Sequence, residues 1–221
     1  MLSESRLTCP VYASAAEALA TPSDIFVEYT KPARAKANIV TALGRGAHVV
    51  VGTSGLTDAD YAEIDAVARS QQRGVLACGN FALTAVLLLR FAELAAKLVP
   101  QWEIIDYAHD DKIDAPSGTA RELAARLAEV RNPAPTIPID RTVGPRETRG
   151  ATVGGSQVHS IRLPRYVISA EAILGISDQK LTIRHDSGSS ARPYVDGSLL
   201  AIRKVPGLLG LHRGLDAVLD L

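Results

Sequence analysis

The chain has 221 residues, of which 47% are hydrophobic and 22% are charged, the composition of an ordinary globular protein. Its 24 basic and 24 acidic side chains give a formal net charge of zero, which argues against bulk binding to nucleic acid or to a membrane surface. No apolar run reaches the length of about 18 residues that crosses a bilayer, and residues 1–10 lack the pattern of a signal peptide, so we expect a cytoplasmic protein.

The amino-terminal part of the chain alternates between strands and helices. Strands are predicted at 24–30, 48–56 and 74–81, and helices at 14–20, 33–47, 58–72 and 84–99. The strands are apolar on both faces, which is typical of a parallel sheet covered by helices on both sides. We therefore predict an α/β fold with a Rossmann-type, doubly wound parallel sheet over residues 1–101.

A different pattern follows residue 101. The sequence predicts a strand at 102–109, a helix at 119–130, a loop at 131–150, strands at 156–164, 166–175 and 180–187, and a helix at 194–205. The later strands alternate between apolar and polar residues, as antiparallel strands with one exposed face do. We predict an α+β domain with a mixed or antiparallel sheet over 102–205, and a segment at 206–221 that can return to the first domain.

The usual signature of a dinucleotide-binding domain is a strand, a G-x-G-x-x-G loop and a helix, and this chain contains no such loop. The first convincing strand already has the character of a strand from the middle of such a domain. We therefore expect the opening βαβ unit, which has about 30 residues, to be missing. A misassigned gene start, a shortened recombinant product and a real truncation are the alternatives.

Small polar residues follow three of the predicted strands, at 28–30, 52–55 and 79–81. Ligands bind beyond the carboxyl ends of parallel strands, where glycine permits close approach and Thr, Ser or Asn can form hydrogen bonds. Ordinary βα turns use the same residue types, so the pattern leaves both interpretations open.

The stretch YAHDDKIDAPSGT, residues 107–119, contains a second candidate site. Ser117 or Thr119 can cap the helix that follows, and the N–H groups at a helix start attract anions. Lys112 adds a positive charge, and His109 can donate a proton near neutral pH. These residues predict a pocket for a carboxylate, and a plain helix cap beside a solvated His and Lys is the alternative.

A second cationic set contains Arg184, His185 and Arg192. Arg184 and His185 are adjacent in a predicted strand, so their side chains are expected on opposite faces of the sheet. No His, Cys, Asp or Glu grouping has the spacing of metal ligands, and we predict no metal site. Cys9 and Cys78 are too few for a disulfide framework, so we expect reduced thiols.

Several of these stretches resemble one family, the dihydrodipicolinate reductases (4-hydroxy-tetrahydrodipicolinate reductases) of bacterial lysine biosynthesis. KIDAPSGTA is similar to the family signature K-x-D-A-P-S-G-T-A, GTSG to G-T-T-G, EYTKP to D-F-T-x-P, and GNFALTA to P-N-F-S-x-G. HSIRLP and LTIRHDS also match in order, so the resemblance covers residues 11–221. It implies a domain for NADPH or NADH, an α+β substrate and tetramerisation domain, and a homotetramer. The reaction that it implies is reduction of a cyclic dicarboxylate imine by hydride transfer.

The resemblance also implies roles for single residues. Lys112 matches the catalytic lysine, and His109 matches the second histidine of the H-H-x-x-K pattern. The substrate carboxylate loop corresponds to Ser117, Gly118 and Thr119. The nicotinamide end of the cofactor is expected at Tyr29, Thr30, Gly52, Thr53, Ser54, Asn80 and Phe81.

The chain departs from the family pattern at Ala108, where the first histidine, the usual proton donor, is expected. His109, Lys112 or a water molecule can supply the proton instead. Two other hypotheses stay open: a non-catalytic relative that serves as a binding or assembly subunit, and a reductase of the same fold with a changed substrate.

Overall fold

The computed structural model describes residues 9–219. Residues 1–8, most of the stretch in which no signal peptide is predicted, lie outside this range. Residues 220 and 221, the last two of the 206–221 segment, also lie outside it. One compact unit contains the described residues up to Gly79 and those from Ser198 onward, and the other is Asn80–Gly197. No helix in the described part of the chain is long and apolar enough to span a membrane.

The first unit contains a parallel sheet with the strand order β1-β2-β3-β9. Its strands are β1 (Ile25–Glu28), β2 (His48–Val51), β3 (Gly74–Ala77) and β9 (Gly210–Arg213), and its helices are α1 (Ala15–Ala18), α2 (Pro32–Gly44) and α3 (Asp58–Ser70). The predicted Rossmann-type sheet is confirmed. The sequence did not predict β9, whose four residues become a strand by pairing with the distant β3.

The core of the first unit explains why its strands are apolar on both faces. Ile39 and Leu43 of α2 and Ile64 of α3 pack with Val49 and Val75 of the sheet, and all five are fully buried. Helix α3 begins at a capping box in which Thr57 and Asp60 satisfy each other's backbone N–H groups. The sheet and its helices therefore hold the carboxyl ends of β1 and β2 in fixed positions.

The second unit contains a mixed sheet with the strand order β5-β6-β4-β7-β8. Its strands are β4 (Gln101–Ala108), β5 (Ala151–Val153), β6 (Ser156–Arg162), β7 (Ile168–Ile176) and β8 (Gln179–Ser187), and its helices are α4 (Leu83–Ala96) and α5 (Gly118–Val130). Strands β4 and β6 are parallel, and the other neighbours are antiparallel. Helix α6 (Pro193–Lys204) crosses from the second unit into the first.

The domain limits near residues 101 and 205 stay a prediction, and the two compact units divide at Gly79/Asn80 and at Gly197/Ser198. Helix α4 precedes residue 101 but packs within the second unit, because Leu88 and Leu89 share a core with Trp102 and Ile104 of β4 and Leu123 of α5. The 131–150 segment, predicted as a loop, contains two short 3-10 turns at Ile139–Arg141 and Arg146–Arg149.

Strand β4 separates two chemical environments in the second unit. Trp102 and Ile104 belong to the core formed with α4 and α5. Glu103 alternates with them and forms ion pairs with Arg149 and His159. The sheet therefore has one apolar face under the helices and one face that carries charged side chains.

Candidate functional site

The loop between β4 and α5 contains the predicted carboxylate site, and its last residue caps the helix. The Oγ of Ser117 accepts a hydrogen bond from the Ala120 N–H at 3.3 Å. A Cβ placed on Gly118 would meet no atom nearer than Arg121 Nη2 at 4.0 Å. The first turn of α5, with Gly118 and Thr119, therefore has open space beside backbone N–H groups that favour an anion.

Lys112 lies in the same loop and forms an ion pair with Asp114, with 2.5 Å between Nζ and Oδ1. Arg121 lies on the other side of Asp114, with 3.7 Å between Nη1 and Oδ2. The hydrogen bond from Lys112 is the main cause that lowers the pKa of Asp114, and the Arg121 charge adds to it. The sequence did not indicate Arg121, which comes near the loop because it lies one helical turn after Ser117.

His109 opens the loop and is half-exposed. Its Nδ1 lies 2.8 Å from Asp110 Oδ1 and 2.9 Å from Asp111 Oδ1. Because an ionised carboxylate only accepts, we assign the hydrogen to Nδ1, which leaves Nε2 for another partner. Ligand atoms of the three residues lie within 4.8 Å of one another, but exposed acidic groups are common without an ion, and we assign no metal here.

Ala108, at the position where the family pattern has its first histidine, is the last residue of β4 and is fully buried. Its carbonyl accepts a hydrogen bond from the Leu163 N–H at 3.2 Å. Two residues before it, Asp106 is fully buried and bonds to the Ser117 N–H at 2.9 Å. The sequence signal for Asp106, an acid between the apolar Ile105 and Tyr107, was present but had no partner to indicate its role.

In the first unit, a fully buried carboxylate connects two of the predicted cofactor residues. Oε1 of Glu28 accepts hydrogen bonds from the Thr30 N–H at 2.8 Å, from the Thr30 hydroxyl, and from the Thr53 hydroxyl at 3.4 Å. Oε2 accepts from Asn38 at 3.0 Å. Glu28 therefore joins the turn after β1 to the turn after β2, and the sequence had not singled it out.

Tyr29 and Gly52 meet at the same strand ends. A Cβ placed on Gly52 would collide with Cε1 of Tyr29, so only glycine permits the ring to lie there. The Tyr29 hydroxyl is 3.1 Å from Ser198 Oγ, and partial burial raises the pKa of Tyr29. With Ser54 exposed beside them, these residues present an aromatic ring, hydroxyl groups and a bare glycine, which fit the nicotinamide end of a dinucleotide.

Asn80 and Phe81 begin the second unit, and neither side chain is fully exposed. Asn80 Oδ1 accepts a hydrogen bond from the Ala82 N–H at 2.8 Å, and the Phe81 side chain is buried. Phe81 can therefore offer its main chain, rather than its ring, to a ligand.

The second cationic set divides between the two faces of the sheet, as strand alternation predicts. Arg184 pairs with Glu171 and Asp186, and its ion pairs raise its pKa. His185 is buried, its Nδ1 lies 2.9 Å from the Thr84 hydroxyl, and burial lowers its pKa. Arg184 and His185 thus do not share a pocket.

Comparison with known proteins gives a consistent match over nearly the whole chain. The family model described as "Dihydrodipicolinate reductase, N-terminus" matches residues 1–81, and "Dihydrodipicolinate reductase, C-terminus" matches residues 84–215. A 4-hydroxy-tetrahydrodipicolinate reductase of Listeria monocytogenes serotype 4b (strain F2365) is 40% identical over 217 residues, which are 98% of this chain and 82% of the relative. One of Desulfitobacterium hafniense (strain DSM 10664 / DCB-2) is 40% identical over 200 residues, 90% of this chain and 74% of the relative.

A solved structure gives the same match in three dimensions. The dipicolinate-bound dihydrodipicolinate reductase from Paenisporosarcina sp. TG-14 superposes with a TM-score of 0.90 at 33% identity. The superposition covers 95% of this chain and 79% of that one.

Proposed function

The chain belongs to the dihydrodipicolinate reductase family, and on that premise we propose that it reduces a cyclic dicarboxylate imine of the 4-hydroxy-tetrahydrodipicolinate type in lysine and diaminopimelate biosynthesis. The cofactor is NADPH or NADH, the reductants of this family. The observation that carries the proposal is the loop before α5. It contains the Lys112 ammonium and leads into a helix start with free space beside Gly118.

We assign substrate binding to the first turn of α5. The N–H groups of Gly118 and Thr119 point toward the helix start and can donate to one carboxylate, and the Ser117 hydroxyl lies at the same end. Lys112 supplies the compensating positive charge when the substrate competes with Asp114 for its ammonium. This arrangement selects a planar anion at the loop.

The reaction also needs a proton, because hydride addition to an imine leaves a basic nitrogen. We assign the proton to His109 or Lys112, the two side chains of the loop with nitrogen donors suited to general acid catalysis. The Asp110 and Asp111 carboxylates fix the His109 ring through Nδ1, which leaves Nε2 to face a ligand. Ala108 has no proton to donate, so the His109 and Lys112 pair replaces the usual donor.

We assign the nicotinamide end of the cofactor to Tyr29, Thr30, Gly52, Thr53 and Ser54 of the first unit. The assignment of Asn80 and Phe81 to the cofactor rests on the family resemblance alone. When bound, the reduced nicotinamide supplies the hydride. Glu28 holds the Thr30 and Thr53 hydroxyls in one place, and Gly52 keeps the strand end open for the Tyr29 ring. These residues orient the cofactor by hydrogen bonds and aromatic contact rather than by charge.

We further propose a homotetramer that assembles through the charged face of the second sheet. A cavity of about 560 Å³ lies on that face, between the paired residues Glu103 and Ile173 of the sheet and the 131–150 segment. A second copy of the chain is the occupant we assign to this surface, and light scattering on the purified protein measures the assembly. The reduced Cys9 and Cys78 support the cytoplasm as its compartment.

The proposal is tested by following NADPH oxidation with tetrahydrodipicolinate-type substrate, generated freshly in the assay. Lys112→Ala is expected to lower kcat/KM by at least about 100-fold, as loss of a catalytic cation or proton donor does. Lys97→Ala is the matched control, because Lys97 is an exposed lysine at the end of α4, outside the loop. A loss smaller than about tenfold would remove Lys112 from the mechanism.

The wild-type measurement also separates the alternatives. Binding of pyridine-2,6-dicarboxylate (dipicolinate) and NADPH without any turnover would favour the non-catalytic relative that Ala108 motivates. Binding of neither ligand would contradict the proposed function outright.

A further inference from the structure

Asp106 is an unusual residue for the middle of a buried strand. It lies in β4 between apolar neighbours, and no part of it reaches solvent. Its Oδ2 accepts three hydrogen bonds, from the Ser117 N–H at 2.9 Å, the Ser160 hydroxyl at 3.2 Å and the Arg162 Nη2 at 2.8 Å. A buried carboxylate persists only with such compensation.

Arg162 connects this carboxylate to the loop that follows β4. It ends β6, in register with Ala108, and only 16% of its side chain is exposed. Its Nη2 donates to Asp106 Oδ2 and also to the Asp114 carbonyl oxygen at 2.7 Å. One ion pair therefore holds the loop at two points, at Asp114 directly and at Ser117 through Asp106.

The ion pair between Asp106 and Arg162 is not well explained by a stabilising role alone. Asp106 Oδ1 and Arg162 Nε are buried and have no hydrogen-bond partner among the described residues. Replacing a buried ion pair with apolar residues of similar size is often neutral or stabilising, so its presence is weak evidence for a stabilising role. Its hydrogen bonds outside the two strands go to one loop, the one that carries Lys112 and the start of α5.

We propose that Asp106 and Arg162 are positioning residues that fix the 109–117 loop, so that Lys112 and the first turn of α5 bind the same dicarboxylate. Asp114 and Ser117, the two loop residues that the pair holds, are respectively the partner of the Lys112 ammonium and the cap of the helix. Arg162 also cancels the negative charge of Asp106, which would otherwise repel a dianion bound above it. The inference rests on the proposed dicarboxylate site.

The test compares variants of Arg162 with a matched arginine outside the loop. Arg162→Lys keeps a cation for Asp106, but its ammonium lies on a shorter side chain without the fixed planar geometry that places Nη2 between Asp106 and the Asp114 carbonyl. Asp106→Asn with Arg162→Met removes both charges together, which relieves the penalty of leaving one of them buried alone. Arg126→Met is the control, because Arg126 is 20% exposed and forms ion pairs with Glu93 and Glu122 that do not involve the loop.

Calorimetric titration with pyridine-2,6-dicarboxylate, titration with NADPH and the thermal midpoint are measured on each variant. Both Arg162→Lys and the double variant are expected to weaken dicarboxylate binding about tenfold or more, because a small displacement of positioned groups is costly. The affinity for NADPH, whose residues lie mainly in the first unit, is expected to change less than about twofold in these variants, and Arg126→Met is expected to change neither affinity.

Two results would overturn the inference. One is an unchanged dicarboxylate affinity in Arg162→Lys or in the folded double variant, whatever happens to the thermal midpoint. The other is an equal loss of both affinities, which indicates general damage to the fold. If the wild-type chain itself does not bind the dicarboxylate, the proposed function fails rather than the positioning role.

Discussion

Each unit buries one carboxylate beneath a predicted binding turn, and the two carboxylates have different donors. Glu28, at the end of β1, accepts from hydroxyl, amide and backbone groups. Asp106, near the end of β4, accepts from a hydroxyl, a backbone N–H and the Arg162 guanidinium. The comparison shows that a cation accompanies the buried acid where the proposed ligand is a dianion, because an uncompensated negative charge there would oppose binding.

Removing the charge from each carboxylate should distinguish the two arrangements. Asp106→Asn leaves the Arg162 guanidinium buried without a counter-ion, which typically costs about 3–5 kcal/mol. In Glu28→Gln no cation loses its counter-ion, because the donors described for Glu28 include none. Neutral donors such as Asn38 lose their acceptor, which lowers the free energy of unfolding by about 1–3 kcal/mol. Urea unfolding of the two variants measures both values.

Glu28→Gln and Asp106→Asn should weaken the binding of different ligands, NADPH and the dicarboxylate respectively. Glu28→Gln is expected to weaken NADPH binding, because the Thr30 and Thr53 hydroxyls lose their common acceptor, and to leave dicarboxylate binding unchanged. A larger loss of unfolding free energy in Glu28→Gln than in Asp106→Asn would contradict the difference proposed between the two carboxylates.

A smaller effect involves His185, the buried histidine of the second unit. Burial lowers its pKa, so its contribution to stability is complete above the ordinary histidine pKa of about 6.5 and is lost as the pH falls through the lowered value in the folded protein. His185→Asn keeps an acceptor for the Thr84 hydroxyl and cannot be protonated.

We therefore expect the thermal midpoint of the wild type to fall between pH 7.5 and 5.5 by about 2 °C more than that of His185→Asn. Identical acid sensitivity in the wild type and in His185→Asn would show that burial of this ring does not govern the pH dependence.

The sequence predicts the fold well where local pattern and burial agree. Continuous apolar runs become β1, β2 and β3, and the alternating segments become β6, β7 and β8. The parallel pairing of β6 with β4 and the four-residue β9 were not visible, because both depend on partners distant in the chain.

The site divides in the same way between local and distant information. Ser117 as a helix cap and Lys112 beside it follow from adjacent residues, and the structure places both in one loop. Asp106 and Arg162 are 56 positions apart, and their contact exists only because β4 and β6 pair in register. Motif spacing therefore finds the groups that face a ligand more readily than the buried groups that hold them.

Two glycines allow the most direct test of the central claim, that the start of α5 binds the dicarboxylate and the ends of β1 and β2 bind the cofactor. A methyl group on Gly118 meets no atom within 4 Å except Arg121 Nη2 at that limit, whereas one on Gly52 collides with Tyr29. Calorimetric titration of Gly118→Ala and Gly52→Ala with pyridine-2,6-dicarboxylate and with NADPH gives four affinities to compare with the wild type.

We expect each variant to lose a different ligand. Gly118→Ala should weaken dicarboxylate binding about tenfold or more and leave NADPH binding unchanged, and Gly52→Ala should do the reverse. Wild-type dicarboxylate affinity in a folded Gly118→Ala variant would contradict the account.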